Sequence, residues 1–155
     1  MNAPVITARC RTVASGGPAH LNYVRGLVPI SIEERLGPPA DAQVATPSET
    51  LLAALGSCLS ARIHANALAA SIAVHSLEVE TEVDVVGSPM WERSGSEPRS
   101  IGFDEIRIRV RLSADATPDE LRALVAHAVM WSPIANTLHD PVHLAVEVDP
   151  GPTAQ

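Results

Sequence analysis

The two cysteines, Cys10 and Cys58, are the residues of this sequence with the clearest capacity for nucleophilic chemistry. A cysteine reacts as its thiolate, which forms readily only near a cation or a helix N-terminus. Cys58 lies about three turns into a predicted helix, beyond the reach of the helix dipole, and Arg62 follows one turn later. A cysteine among alanines and leucines is more often a small buried hydrophobic residue than a nucleophile. These residues alone leave both interpretations open.

Other polar residues form no recognisable metal or hydrolase motif. The histidines are scattered along the chain and the cysteines lack CxxC spacing, so we expect no metal site. Ser132 and His127 are not accompanied by the GxSxG turn that presents a catalytic serine. Met90 and Trp91 lie in a polar loop at 87–100, where they either rim a binding pocket or anchor the loop.

The helix that carries Cys58 has a clear start. Thr46 is the predicted N-cap, Pro47 suits the first helical position, and Glu49 completes a capping box. We expect the helix to run from residue 47 to about 70, a length of roughly 36 Å. Its residues are small or aliphatic on all sides, which predicts a central helix covered by a sheet or another helix. On an ideal helix, Glu49 and Cys58 point in opposite directions, so Glu49 would meet Cys58 only through another chain.

The rest of the sequence contains both strand and helix patterns. Segments 75–86 and 106–112 alternate apolar residues with acidic residues and arginines respectively, so they should pair antiparallel with opposite charges facing each other. Groups of strands around helices predict an α+β fold. The other predicted elements are a strand at 4–13, extended segments at 20–34 with a turn at Arg25-Gly26, a helix opened by Thr117 and ending near Met130, a short helix capped by Ser132, and a final strand at 142–148.

Composition limits the functional classes. A chain of 155 residues that is 46% hydrophobic and 19% charged predicts one soluble globular domain at 1–149, followed by a disordered tail at 150–155. The net charge of -7 argues against nucleic acid or an anionic membrane as a partner. Arg62, His64 and Asn66 interrupt the longest apolar stretch, which favours a buried helix over a membrane span. No signal peptide or disulfide framework is evident, so we expect a cytoplasmic protein.

The segment ATPSETLLAALGSCLSARIHA, at 45–65, resembles the long central helix of the OsmC/Ohr family. In that helix a Pro-x-Glu-Leu-like start leads to Leu-Ala-Ala-hydrophobic-Gly-x-Cys, and the order of elements agrees over residues 4–148. The resemblance implies an intertwined α+β homodimer with its active sites at the subunit interface and no cofactor. It also implies thiol-dependent reduction of organic or hydrogen peroxides, in which Cys58 attacks the peroxide and becomes a sulfenic acid.

The chain departs from the family pattern at the second cysteine. The family motif Cys-Pro-(Val/Ile) is Ser132-Pro133-Ile134 in this sequence. A serine cannot form a disulfide, so the internal step that resolves the sulfenic acid is missing. Cys10 is a weak candidate for a substitute resolving thiol, because it lies in the predicted first strand.

Two further departures concern the charged partners of the thiolate. In the hydroperoxide-resistance branch a glutamate lies ten residues before the cysteine, and that position is Ser48 here. Glu49 matches instead the glutamate that other branches carry nine residues before the cysteine. The family arginine aligns with Gly17, so Arg25 or Arg35 would have to replace it from a nearby loop.

The sequence therefore supports two hypotheses. The first is a one-cysteine peroxidase that uses an external thiol reductant; the second is a catalytically degenerate protein that binds a small apolar or thiol ligand at the dimer interface. The predicted catalytic residues are Cys58, Glu49 and Arg25, and the predicted binding residues are Ser132, Trp131, Met90 and Trp91.

Overall fold

A computed structural model describes residues 7–14, 19–33, 44–84, 102–140 and 142–147. Strands and helices are mixed along this part of the chain, which confirms the α+β class. The strands form two small antiparallel sheets, ordered β1-β2-β3 and β4-β5. The elements are, in order, β1 (Cys10–Ala14), β2 (Ala19–Val24), β3 (Ile30–Glu33), α1 (Pro47–Ala69), β4 (Val74–Val83), β5 (Ile106–Ala114), α2 (Pro118–Met130) and α3 (Pro133–His139).

The chain divides into two compact units that alternate along the sequence. The first unit consists of Met1–Ser57 and Glu78–Arg111, and the second of Cys58–Leu77 and Leu112–Gln155. That residues 1–149 form a single domain stays a prediction. The predicted tail at 150–155 lies outside the described residues.

The three-stranded sheet of the first unit is an antiparallel meander. Cys10 pairs with Val24 and Arg11 with Tyr23 in its first ladder. The chain turns after β2, where Arg25 adopts a left-handed conformation with a φ of 54° and the Leu27 amide donates to the Val24 carbonyl at 3.2 Å. The predicted turn at Arg25-Gly26 is therefore confirmed.

The pairing of β4 with β5 is accompanied by a row of ion pairs on one face. The order of partners reverses along the two strands, as antiparallel pairing requires, and opposite charges face each other as predicted. Arg107 holds the pKa of Asp84 below its usual value through a hydrogen bond to the carboxylate. These groups are exposed, so each pair adds little to stability. The pairs are Arg107 with Glu82 at 2.6 Å and Asp84 at 2.8 Å, Arg109 with Glu80 at 3.2 Å, and Arg111 with Glu78 at 3.0 Å.

The first half of α1 packs closely on β4 within the first unit. A Cβ atom added to Gly56 would meet the Thr81 Cγ2 atom at 3.8 Å, which is ordinary van der Waals contact. The Thr81 hydroxyl donates a hydrogen bond to the Leu52 carbonyl at 3.3 Å. Small side chains on this part of the helix therefore let the strand approach its backbone.

The core of the second unit is a stripe along α1 that meets α2. The buried residues of α1 recur at four-residue intervals, as expected for one face of a helix. Full burial of a leucine or isoleucine side chain contributes about 2 kcal/mol, so this stripe supplies much of the unit's stability. The buried apolar residues are Leu59, Ile63 and Ala67 from α1 and Leu124 and Ala128 from α2.

Hydrogen bonds at the helix starts confirm the three predicted caps. Thr46 and Glu49 form a reciprocal capping box at α1, since the Thr46 amide donates to the Glu49 carboxylate at 2.8 Å and the Glu49 amide to the Thr46 hydroxyl at 3.2 Å. Thr117 and Glu120 form the same arrangement at α2, and Ser132 caps α3.

Much of α1 is not covered within the single chain. Only 22% of the residues in its most apolar window are buried. By length and composition alone this helix would be able to cross a membrane, but the core helix of a globular protein meets the same criterion, so the observation is weak evidence for a membrane span. Leu68, for example, is 81% exposed. The described part of one chain therefore covers α1 with β4 on its first half and α2 on its second half, and leaves the rest of the helix surface open.

The predicted strand at 142–148 is wrong for residues 142–147, which pair with no strand in the described part of the chain. The pattern behind that prediction was alternation of apolar and polar residues. Val142, Leu144 and Val146 are exposed in the single chain. Alternation makes a segment suitable for a sheet edge, but a strand also needs an edge with free hydrogen-bonding groups beside it.

Candidate thiol site

Cys58 and Ser132 are brought together within the second unit. The Ser132 hydroxyl donates a hydrogen bond to the Cys58 Sγ atom at 3.2 Å, although 74 residues separate the two positions. Cys58 lies on α1 beside the buried Leu59 and is half-buried. The thiol is therefore partly accessible and has a polar partner, so it is not sealed within apolar packing.

Ser132 is held in place by the start of α3. Its hydroxyl oxygen accepts the Ala135 amide at 3.1 Å as the N-cap of that helix, and Pro133 occupies the first helical position. The Ser132 amide donates to the Val129 carbonyl at 3.2 Å, and the residue is 0% exposed. Because the oxygen accepts the Ala135 amide, the hydroxyl proton is available for the sulfur. The amide, the hydroxyl oxygen and the hydroxyl proton of this buried serine therefore each have a hydrogen-bond partner.

A hydroxyl in this position would donate a stronger hydrogen bond to a thiolate than to a neutral thiol. A neutral thiol is a weak acceptor, whereas hydrogen bonds to charged acceptors are about twice as strong as neutral ones. The geometry around Cys58 therefore supplies one of the interactions that a nucleophilic thiol requires.

A cation beside the sulfur is not found among the described residues of the second unit. Arg62 is exposed one turn after Cys58 and forms no hydrogen bond with it. Arg122 is engaged with Asp119 near the start of α2. Neither arginine therefore supplies the positive charge that peroxide reduction would need beside the Cys58 sulfur.

The other predicted site residues lie in several places. Glu49 is exposed at the start of α1, where its carboxylate accepts hydrogen bonds from Thr46. Arg25 is exposed in the turn after β2. Trp131 forms the C-cap of α2, is 60% exposed, and its ring lies 6.0 Å from that of His127. Met90 and Trp91 lie outside the described residues.

The sequence identified Ser132 as a helix cap, as a binding residue and as the replacement of the family's second cysteine, but it did not predict the hydrogen bond to Cys58. A serine followed by proline after a helix indicates a cap, and no local pattern reports where the hydroxyl proton points. In the part of the chain that the structure describes, no group of three or more His, Cys, Asp or Glu side chains could hold a metal ion. The catalytic assignments of Glu49 and Arg25 stay predictions.

Comparison with known proteins decides the family. A sequence model of the family described as OsmC-like protein matches residues 40–147, well over half of the chain. The chain belongs to the OsmC-like family. No curated protein matches this OsmC-like sequence.

Solved structures support the same fold. An OsmC-like protein from Mycoplasma pneumoniae matches with a TM-score of 0.73 at 18% identity, covering 88% of this chain and 89% of that one. An organic hydroperoxide resistance protein from Legionella pneumophila matches with a TM-score of 0.55 at 17% identity, covering 88% and 91% of the two chains. The organic hydroperoxide resistance protein OhrB of Bacillus subtilis matches with a TM-score of 0.58 at 17% identity, covering 88% and 93%. At these identities the likeness establishes the OsmC-like fold alone.

Proposed function

We propose that this OsmC-like protein is a cytoplasmic thiol peroxidase that reduces organic or hydrogen peroxides through Cys58. The observation that carries the proposal is the hydrogen bond from the Ser132 hydroxyl to the half-buried Cys58 sulfur at 3.2 Å. Family membership and structural neighbours described as organic hydroperoxide resistance proteins support this chemistry. The reaction needs no metal or cofactor, because a thiolate is itself the two-electron reductant.

In the first step the Cys58 thiolate attacks one oxygen of the peroxide. A sulfur–oxygen bond forms, the oxygen–oxygen bond breaks, and the second oxygen leaves as an alkoxide that takes a proton to become an alcohol. Cys58 is then a sulfenic acid, oxidised by two electrons. The Ser132 hydroxyl stabilises the thiolate before attack. Arg25 is proposed as the cation that stabilises the leaving oxygen. Glu49 is proposed as a further charged residue of the site, which it would reach from the second copy of the chain.

In the second step an external thiol must reduce the sulfenic acid. The residue hydrogen-bonded to Cys58 is a serine, which cannot condense with the sulfenic acid to form a disulfide. A thiol of low molecular weight therefore attacks the sulfur, releases water and leaves a mixed disulfide. A second thiol then attacks the mixed disulfide, releasing the oxidised reductant and restoring the Cys58 thiolate.

The decisive experiment is turnover of cumene hydroperoxide with dithiothreitol by the wild-type protein and two variants. We expect Cys58→Ala to lose at least a hundredfold in rate, because the attacking atom is removed. Cys10→Ser serves as the matched control, since Cys10 is the other cysteine of the chain and is exposed in β1. It should keep the wild-type rate.

If all three proteins consumed cumene hydroperoxide at the same background rate, the peroxidase proposal would be overturned. The alternative is then an OsmC-like protein that binds a small apolar or thiol ligand without reacting with it. The absence of a cysteine partner for Cys58 is the observation that favours this second function. A Cys10→Ser variant as inactive as Cys58→Ala would also contradict the mechanism, because Cys58 alone carries it.

We further propose that two copies of the chain form a homodimer that covers α1. Its most apolar window is only 22% buried in one chain, and Leu144 and Val146 are exposed by 82% and 83%. Monomeric proteins rarely leave such apolar surface open to water. Light scattering after size-exclusion chromatography should give twice the mass of 16.3 kDa, and Leu144→Glu should shift the protein towards monomer. A monomeric wild type at micromolar concentration would contradict this proposal.

A further inference from the structure

A group of arginines lines an open cleft in the first unit, beside the end of the β1–β2 ladder. The last pair of this ladder is Cys10 with Val24; Arg9 comes directly before Cys10, and Arg25 directly after Val24. Arg11 lies opposite Tyr23 in the next pair. The Arg11 guanidinium stacks over the Tyr23 ring, 4.6 Å from its centre. The cleft has a volume of about 650 Å³, and it is lined by Ala8, Arg9, Cys10, Arg11, Tyr23 and Arg25.

These arginines differ from those of the other sheet in having no acidic partner. In the described part of the chain, Arg9, Arg11 and Arg25 form no ion pair, whereas every arginine of β5 meets between one and three carboxylates. Like charges that gather in one place raise the energy of the folded state unless a counter-charge lies between them. The chain carries a net charge of -7, so this local positive cluster runs against its overall composition.

We propose that this cleft, here named the arginine cleft, binds a small organic anion with two or more negative charges. A guanidinium presents paired donors that match the oxygens of a carboxylate or a phosphate, and several of them together favour a multiply charged ligand. Stacking on Tyr23 occupies one face of the Arg11 guanidinium, and the N–H groups along the edge of the guanidinium stay available to a ligand.

Calorimetric titration of the full chain with metal-free pyrophosphate and with citrate tests the proposal. Saturable binding of either anion, weakening as salt is raised, is the expected result. Tighter binding of pyrophosphate would assign a phosphate ester as the ligand class, and tighter binding of citrate a polycarboxylate. Absence of saturable binding of both anions at millimolar concentration would overturn the proposal.

A pair of matched double variants locates the binding. We expect Arg9→Gln with Arg11→Gln to weaken anion binding about tenfold, as loss of two nearby charges predicts. Arg109→Gln with Arg111→Gln removes the same charge from the same unit, but from arginines that already meet carboxylates. This control should bind like wild type, and an equal loss in both double variants would overturn the arginine cleft. Arg25 is left intact because it belongs to the proposed peroxidase site.

Cys10 offers a second readout that needs no arginine variant. It lies in the lining of the cleft, and in a Cys58→Ala background it is the single thiol of the chain. Alkylation of Cys10 by anionic iodoacetate should be slowed by pyrophosphate or citrate with the same saturation as the calorimetric signal. Alkylation that is insensitive to a bound anion would place the binding elsewhere and contradict the proposal.

Discussion

Thr117 and Ser132 begin consecutive helices in the same way, yet only one of them faces a reactive atom. Both accept a backbone amide from the residue three positions later, and both are followed by proline. Thr117 is exposed, and its cap is completed by the Glu120 carboxylate. Ser132 is 0% exposed, and its hydroxyl is directed at Cys58.

The comparison shows how a structural hydroxyl acquires a chemical role. A cap needs only the acceptor lone pair of the oxygen, so the proton is left for another partner. At Thr117 that partner is the Glu120 carboxylate. At Ser132 it is a sulfur atom that becomes a stronger acceptor when ionised. Substitutions at the two caps should therefore separate stability from reactivity.

The largest effect is expected from Ser132→Cys, which turns the cap into a second thiol beside Cys58. The Ser132 oxygen lies 3.2 Å from the Cys58 sulfur, so a shift of about 1 Å would allow a disulfide of about 2.05 Å. On peroxide treatment, the Cys58 sulfenic acid should condense with the new thiol and release water. Mass spectrometry under non-reducing conditions should then show an internal disulfide that joins positions 58 and 132.

A variant that accumulates the sulfenic acid without closing this disulfide would contradict the observed proximity of the two side chains. The Cys58→Ala version of the same variant is the control, and it should form no internal disulfide between those positions. Turnover with a monothiol reductant should also fall in Ser132→Cys, because the sulfenic acid would be captured internally before an external thiol reaches it.

Ser132→Ala should give the next largest effect, because it removes the donor to sulfur together with the cap. A hydrogen bond to a charged group contributes about 1.5 kcal/mol or more, so alkylation of Cys58 by iodoacetamide at neutral pH should slow about tenfold. The free energy of unfolding should fall by about 1 kcal/mol from loss of the cap. Mass spectrometry of alkylated Cys58 and denaturant unfolding measure the two quantities.

Thr117→Ala is the matched control for the previous substitution. It removes an equivalent cap and should also lower the free energy of unfolding by about 1 kcal/mol. It should leave the alkylation rate of Cys58 unchanged, because its hydroxyl serves Glu120 and the backbone. If both variants slowed alkylation of Cys58 equally, the effect would arise from helix fraying, and the proposed role of Ser132 in thiol reactivity would be contradicted.

The smallest expected effect concerns the pH dependence of the exposed cap. The Thr117 amide, with help from its hydroxyl, lowers the pKa of the Glu120 carboxyl from the ordinary value of 4.5. A carboxyl whose pKa is lowered by folding stabilises the protein above its unfolded pKa and loses that contribution as the pH falls through the folded value. The free energy of unfolding should therefore decrease below pH 4.5 more steeply in the wild type than in Glu120→Gln. Equal slopes in acid would contradict this assignment.

Several features were predictable because their causes are local. The caps at Thr46, Thr117 and Ser132 depend on side chains within three residues, and the structure confirms each. The opposite charges of 75–86 and 106–112 likewise predicted their pairing, which needs only alternation and complementary faces. The strand at 142–148 was wrong for the described residues because alternation describes a segment and not the edge that must receive it.

The sequence by itself determined the α+β class, the helix boundaries and the position of Cys58 within a family pattern, since each depends on local periodicity or on a contiguous motif. Only the tertiary structure decided that the Ser132 hydroxyl meets the Cys58 sulfur across 74 residues. It also decided that Arg9, Arg11 and Arg25 share a cleft, with no carboxylate partner among the residues that the structure describes. Such contacts depend on where separate elements pack, and packing is fixed by the whole set of buried side chains and hydrogen bonds. A hydrogen bond is also directional and short, so its existence is settled by a few tenths of an ångström that no local pattern encodes.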